Sequence, residues 1–479
     1  MAVGFSLLVM LIVQGWALVI FVRHSLSALV FPYPLDYGEG PLLDQAVRLA
    51  DFENIYRADL STPPYVVTNY PPLFELVEVP FVWVFGPAFW YGRAISLASV
   101  IAVAVLIGLT LHALTKNKIG AAAAGLTFLS IPYVLIWSGF ARVDFLGLAL
   151  SWAGLFIIVR WPERRRAVVI AALLFLAAVY TRQTYIIVAP FAAFFWLLAQ
   201  GQRRRAGELA GVFWSLGLAL FLILNVLTDG GFFFNTVTSN INEFQWEKVF
   251  YYVSEMQGVM PYLLLAGGAF WFLPWWWGWV KSWWFVAPYT NGAVLSALLI
   301  GKVGSAPNYL LELSVALSLA VGAIVAWHRR RHWLQAALIL ILAVQVFGMV
   351  QWWSNTHLSY DSSTTDDGPF ALWLPDEAVE TERVNEIIRE AKGTVLTDVY
   401  IGLLPLNGQQ IYYQPFELTQ LARNGYWDQR PFLRALDEGE FAAILIRHDD
   451  YWTHETHERI NERYEPVEEI GDIVVYRAK

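Results

Sequence analysis

Pro71-Pro72-Leu73-Phe74-Glu75-Leu76-Val77-Glu78-Val79-Pro80-Phe81-Val82-Trp83-Val84-Phe85 is apolar enough to be taken for a membrane span, and the sidedness of every later loop turns on that choice. Glu75 and Glu78 interrupt it, and ionisable groups in hydrocarbon are costly. Lys116 and Lys118, Arg160 to Arg166, Arg203 to Arg205, and His328-Arg329-Arg330-Arg331-His332 fall in alternate loops. They are cytoplasmic by the positive-inside rule if 71–85 does not cross, and a crossing would invert all of them. The stretch therefore reads as an amphipathic helix in the outer interface. Leu42 to Ala50 reads as a second short helix, with Leu43, Ala46, Val47 and Ala50 on one side. Together they make the loop 23–92 too long and too structured to be a mere connector.

The whole chain agrees with a membrane setting. Of its 479 residues 57% are hydrophobic and 15% charged, against about 25% charged in soluble proteins, and mean hydropathy is +0.47. The 23 Trp suit many helix ends at headgroup level. A net charge of −8 argues against a nucleic-acid partner. The lack of Cys excludes thiol catalysis, disulfides and Cys-based metal sites. No Asn-x-Ser/Thr acceptor occurs. The run Ala2 to Val22 has no basic n-region and no small-residue cleavage site and reads as an uncleaved first span.

Eleven spans are expected, near 3–22, 93–114, 119–137, 144–160, 167–180, 184–200, 206–227, 259–280, 283–300, 309–327 and 333–353. The pair around Thr181 is short, and Trp271 to Trp284 reads as an anchoring belt. Beyond the first loop, 228–258 and 301–309 are outer loops, the former with a short helix around Glu243 to Val253. Odd parity puts the N-terminus inside and the C-terminus outside. From Ser354 onward the chain is polar and holds more than half of its Asp and Glu. Helices are expected at 377–391, 415–423 and 431–438, with strands at 394–397, 410–413, 442–446 and 472–476, a small α/β domain. The fold class is thus a mainly α, polytopic membrane protein with a small C-terminal α/β extracytoplasmic domain. Its domains are 1–353 and 354–479.

Leu35-Asp36-Tyr37-Gly38-Glu39-Gly40-Pro41 opens the first loop with two carboxylates three residues apart. Glu39 reads equally as the first turn of a helix, favoured by the dipole and followed by Pro41. Cations stand at the outer ends of spans, where the topology makes them scarce: Arg93, Arg142, Arg182 and Lys302. Each alone could snorkel to lipid phosphate, and Arg142 could simply neutralise Asp144. Together they suit a phosphate held at the membrane surface, with Arg forking onto oxygens and Lys as a point charge. Asn308 and Tyr309 add hydrogen-bonding groups. Transfer of a sugar from a lipid phosphate needs one base for the acceptor and cations for the leaving phosphate. A glycosidase would need two opposed carboxyls. Asp36, Glu39 and Asp144 could also hold a hard divalent ion, Mg2+ or Mn2+, through oxygens, and the residues call for no other cofactor. No close-spaced His pair lies on an outer membrane loop, and His454 and His457 read as surface residues.

The order of these motifs, with Tyr70-Pro71-Pro72-Leu73, Gly92-Arg93, Arg142-x-Asp144 and Thr181-Arg182-Gln183-Thr184, resembles the GT-C superfamily of polyprenyl-phosphate-dependent glycosyltransferases. The nearest branches are the protein O-mannosyltransferases and aminoarabinose transferases. The likeness covers 1–200 by motif and the later spans by architecture and Lys302. It implies Asp36 as general base, Asp144 in support, and Arg182 and Lys302, with Arg93 and Arg142, on the donor phosphate. Tyr70, Gln183, Asn308 and Tyr309 are the expected substrate contacts. Many relatives carry adjacent Asp-Glu, whereas Tyr37-Gly38 separates the pair here, so the base is Asp36 or Glu39. The implied protein is an inverting glycosyltransferase of the cell membrane, acting at its outer face. It takes a polyprenyl-phosphate sugar and gives the sugar to a glycan, lipid or protein acceptor. The rival readings are a flippase for a lipid-linked sugar, which would show inverted repeats and mid-span charges, and a non-catalytic envelope assembly protein.

Overall fold

The computed structural model describes residues 2–276, 280–326, 332–356 and 378–479. The basic run from His328 to Arg331, the polar tract Asp361–Asp367 and the middle of the Trp-rich stretch lie outside these residues. Helices occupy each of the expected membrane positions: α1 Ala2–Val30, α4 Trp90–Thr115, α5 Lys118–Ser130 with α6 Pro132–Ser138, α7 Val143–Arg160, α8 Arg165–Thr181, α9 Val188–Ala199, α10 Arg203–Leu227, α13 Pro261–Trp276, α14 Val280–Leu298, α15 Leu311–Ala326 and α16 His332–Thr356. By length and apolarity seven of the described helices can cross a membrane, and an eighth if α5 and α6, bent by 66°, form one span. The protein is a multi-pass membrane protein, with the expected count of eleven supported only this far. The α5–α6 bend falls at Ile131-Pro132, where proline cannot continue the ladder.

The bundle is built on α15, all of whose side chains are buried. Small residues bring α5 onto it: a Cβ at Gly120 would lie 2.5 Å from the Gly322 carbonyl, and one at Gly322 equally close to the Gly120 carbonyl. Such approach replaces hydrophobic drive as the source of helix association in lipid. At the periphery, α10 exposes Trp214, Leu218, Leu222, Ile223 and Val226, a surface suited to acyl chains.

The connections between spans carry structure of their own. The first loop contains α2 Glu39–Ala50 and α3 Leu73–Phe85, and the second contains α11 Gly231–Thr236 and α12 Trp246–Val259. Helix α2 begins at Glu39, with Gly38 before it, two residues earlier than a start at Pro41 would give. Helix α3 does form, but its polarity is inside out. Glu75 and Glu78 are buried while Leu76, Trp83, Val84 and Phe85 are exposed. Its inner face, with Val79 and Val82, packs on Leu43, Ala46 and Ala50 of α2 and on Tyr91.

Among the described residues neither carboxylate oxygen of Glu75 meets a hydrogen-bond donor of another residue. Burial pushes its pKa up to about 8 from an ordinary 4.5. The folded chain therefore holds this proton more tightly than the unfolded chain, so stability falls as pH rises between those two values and changes no further above them. Glu75→Gln is expected to melt higher than the wild type at pH 8, with the gap closing toward pH 4.5. Differential scanning fluorimetry across that range measures it, and a pH-independent gap would contradict the assignment.

The C-terminal α/β unit has a four-stranded sheet of order β1-β2-β4-β3, from β1 Thr394–Thr397, β2 Phe441–Ile446, β3 Tyr464–Ile470 and β4 Ile473–Ala478. β1 and β2 are parallel, and the other pairs antiparallel. Its helices are α17 Ala378–Glu390, α18 Leu403–Leu406, α19 Pro415–Arg423, α20 Arg430–Asp437 and α21 His454–Arg463. Val384, Ile387 and Ile388 of α17 cover one side of the sheet. Phe432 and Leu436 of α20, joined by Tyr65 and Val67 of the first loop, make another core against it. The expected strand at 410–413 is extended but leaves the sheet to pair with Tyr65. β3 carries Glu465, Pro466, Glu468 and Glu469 with little apolar alternation, the pattern of a protected edge, and periodicity does not find it.

Candidate active site

The carboxylates of the first loop have separate environments. Glu39 is fully buried. Its Oε1 accepts from Arg93 Nε (2.9 Å) and the Ala141 N–H (2.7 Å), and its Oε2 from Arg93 Nη2 (2.8 Å) and the Leu35 N–H (2.7 Å). Arg93 in turn donates from Nη1 to the carbonyls of Ala28 (2.8 Å) and Phe31 (2.5 Å), and from Nη2 to that of Tyr33 (2.6 Å). The guanidinium thus caps the C-terminal end of α1, where a cation is favoured by the dipole, and ties it to the start of α2. Neither Glu39 nor Arg93 lines the cavity described below.

Asp36 does line it, a quarter exposed. Its Oδ2 accepts from Arg142 Nη1 (2.9 Å) and from the Gly38 N–H (2.9 Å). Burial raises its pKa above the ordinary carboxylate value, with the Arg142 charge working the other way. A Cβ at Gly38 would sit 1.1 Å from Arg142 Nη1. Glycine at this position is what lets the guanidinium cross the loop and reach Asp36. Arg142 also points Nη2 at the Tyr70 hydroxyl (3.4 Å) and lies over the Tyr70 and Trp137 rings.

Asp144, at the start of α7, forms a second buried pair with Arg182, whose Nη1 bonds its Oδ1. Trp137 Nε1 donates to Asp144 Oδ2 (2.7 Å) and Asn308 Nδ2 to Oδ1 (3.0 Å). Arg182 stacks on Tyr309 at 4.5 Å from the ring centroid. Its Nε and Nη2 are buried with no hydrogen-bond partner among the described residues, as is Asn308 Oδ1. The break between α8 and α9 supplies this arginine: the chain turns extended at Arg182 before a short 3-10 turn. Gln183 spends its amide on the carbonyls of Asn69 (2.9 Å) and Thr236 (3.3 Å), fastening the first and second loops.

These elements enclose a cavity of about 320 Å³. Of the expected residues, Asp36, Tyr70, Arg142, Lys302, Asn308 and Tyr309 line it, whereas Glu39, Arg93, Asp144, Arg182 and Gln183 do not. Lys302 makes no side-chain hydrogen bond or ion pair among the described residues, and its loop is pinned instead by Lys248 of α12. The Lys248 ammonium donates to the carbonyls of Lys302 (3.2 Å) and Ser305 (2.6 Å). Sequence reasoning missed Asn69, Asn240, Asn242, Phe416, Glu417 and Tyr451, which also face the cavity. Asn69 adjoins the Tyr70-Pro71-Pro72 motif, which was a usable signal. The C-terminal residues had none.

Asp36, Glu39 and Asp144 are also the oxygen donors expected for a divalent ion. Among the described residues no group of three or more His, Cys, Asp or Glu is gathered to hold one. The oxygens of Glu39 are taken by Arg93 and N–H groups, and those of Asp144 by Arg182, Asn308 and Trp137.

No protein-family model matches the chain, and no curated protein matches it by sequence. Its three-dimensional structure is similar to that of ArnT from Cupriavidus metallidurans bound to undecaprenyl phosphate, with 16% identity over 99% of this chain and 98% of that one and a TM-score of 0.62. It is also similar to the archaeal oligosaccharyltransferase AglB from Archaeoglobus fulgidus in complex with an inhibitory peptide and a dolichol-phosphate (13% identity, 97% and 74% covered, TM-score 0.55). A further AglB structure, a complex with zinc and sulfate, matches at 14% identity over 93% and 71%, with a TM-score of 0.52. At such identities the likeness is one of fold. The chain has the fold of the GT-C glycosyltransferases, as its ordered motifs implied.

Proposed function

We propose that this protein is an inverting membrane glycosyltransferase that moves a sugar from a polyprenyl-phosphate donor to an acceptor hydroxyl or amine at the outer face of the cell membrane. The observation that carries the reading is a single cavity lined by a carboxylate, Asp36, and a lysine, Lys302, which forms no ion pair among the described residues. ArnT with undecaprenyl phosphate and AglB with dolichol-phosphate share the fold, which supports a lipid phosphate as the donor's leaving group.

Asp36 takes the acceptor proton while the acceptor atom bonds the anomeric carbon. The bond from that carbon to the phosphate oxygen breaks on the opposite face, and the polyprenyl phosphate leaves with the electron pair. Lys302 receives the charge that develops on the phosphate. Arg182 adds positive potential from behind Tyr309, with Nε and Nη2 unpaired among the described residues. Arg142 serves Asp36 rather than the phosphate, orienting it and favouring its ionised form. Glu39 and Arg93 form a positioning pair. Residues 1–353 act as the catalytic membrane domain, with the N-terminus cytoplasmic, and 354–479 as an extracytoplasmic domain.

Transfer of labelled sugar from polyprenyl-phosphate donors to membrane acceptors tests the reading. Purified protein that neither binds nor consumes any such donor would sink it. Lys302→Met is expected to weaken binding of a polyprenyl monophosphate by about 10–100-fold, the worth of one charge-assisted hydrogen bond. Isothermal titration in detergent measures this, and unchanged affinity would move the phosphate site elsewhere.

A further inference from the structure

The first turn of α19 touches both loops that carry the proposed chemistry. The Tyr37 hydroxyl, one residue beyond Asp36, donates to Glu417 Oε2 at 2.5 Å. The neighbouring Phe416 ring fills the space beside Gly304, two residues beyond Lys302. A Cβ at Gly304 would lie 2.7 Å from that ring, and the backbone there has φ +78°, a region that favours glycine. Tyr451 closes the corner, edge-on to Phe416 at 5.2 Å and to Tyr37 at 5.9 Å.

α19 is held firmly enough for these contacts to transmit position. The Gln414 N–H donates to the Tyr65 carbonyl (3.1 Å), and Gln414 Oε1 accepts from the Val67 N–H (2.8 Å). The Ile411 N–H donates to Asp44 Oδ1 (3.1 Å), and Thr419 Oγ1 to the Tyr451 carbonyl (2.8 Å). The segment 411–419 therefore belongs mechanically to both the first loop and the turn that follows β2. The loop bearing Lys302 has its own attachment to α12 but meets the Asp36 loop across an open cavity. A half-buried carboxylate set beside aromatic rings costs desolvation that simple packing would not require.

We infer that Phe416 and Glu417 are positioning residues: a clamp by which the C-terminal unit sets the separation between the Asp36 loop and the Lys302 loop. The inference rests on the proposed transferase reading for its purpose, though not for its geometry. Glu417 holds the loop through the Tyr37 hydrogen bond and takes no proton from substrate. Opening the clamp leaves the base and the phosphate cation intact but no longer held at one spacing, so it slows the chemical step more than it weakens lipid-phosphate binding.

The absence of native Cys makes the test direct. Spin labels at Leu35→Cys and Glu243→Cys report the two loops, because the Glu243 carbonyl bonds the Val303 N–H (2.9 Å) and moves with the Lys302 loop. In the full chain a single narrow distance is expected. Phe416→Ala with Glu417→Ala should broaden it and lower kcat for donor consumption at least tenfold, with binding of a polyprenyl monophosphate changed less than threefold. Glu417→Gln keeps an oxygen for Tyr37 and should restore both. If the double variant does not fold, Tyr37→Phe, which removes only the hydrogen bond, carries the test and should broaden the same distance.

An unchanged narrow distance in the double variant, or in Tyr37→Phe where that variant does not fold, overturns the clamp. So does a Glu417→Gln variant as slow as Glu417→Ala, which would mean that the carboxylate acts on the reaction directly. A wild-type protein that consumes no donor would fail the transferase reading, while the distance measurement would still decide the clamp.

Discussion

Asp36→Asn is expected to yield a protein that folds, binds a polyprenyl monophosphate as the wild type does, and transfers sugar about 10²–10⁴-fold more slowly, the usual cost of losing a general base. The amide keeps an acceptor for the Gly38 N–H, so the loop retains its shape, but it cannot take a proton. Because burial raises the Asp36 pKa, the rate should begin to fall at a higher pH than an ordinary aspartate would give as the solution is acidified. Arg142 opposes that rise, so Arg142→Gln should move the acid limb further up. The measurements are single-turnover transfer rates for wild type and variants across pH. An Asp36→Asn enzyme within threefold of wild type would remove Asp36 from the mechanism.

Glu39→Gln and Arg93→Met should fail in a different way. Each leaves an uncompensated partner in a site where both side chains are almost wholly enclosed. Breaking such a buried pair costs about 3–5 kcal/mol, a large part of the total stability of about 5–15 kcal/mol. Yield of folded protein and melting temperature should drop sharply for both, while the molecules that remain folded keep a rate within severalfold of wild type. Removing Arg93 also strips its hydrogen bonds from the Ala28, Phe31 and Tyr33 carbonyls, so it should be the more damaging change. If Glu39→Gln instead melted normally and lost activity, Glu39 would be the base and Asp36 the support.

The two experiments separate what sequence left joined. In Asp36-Tyr37-Gly38-Glu39 both acids stood as candidate bases, and the one-dimensional pattern offered no reason to choose between them. The structure brings Arg93 and two N–H donors onto Glu39 and leaves Asp36 at the cavity with a single guanidinium. Likewise the four cations looked equivalent as misplaced charges at span ends. Arg93 is consumed by Glu39 and helix carbonyls, Arg142 by Asp36, and Arg182 in part by Asp144, while Lys302 is not paired among the described residues. Ion pairing between residues far apart in the chain sorted them, and no local spacing encodes it.

Sequence alone determined the helical membrane architecture, the helices α2 and α3 within the first loop and the α/β character of the tail. It also supplied the ordered motifs that resemble the GT-C fold. These follow from local quantities: apolar length against bilayer thickness, the period of buried positions, and proline and glycine as breaks. Only the tertiary structure decided which face of α3 turns inward, that 410–413 pairs with Tyr65 rather than the sheet, and that Glu417 of α19 reaches Tyr37. Those outcomes depend on contacts between segments up to 380 residues apart. Such contacts form only when packing makes burial of a polar group less costly than leaving its partner unpaired.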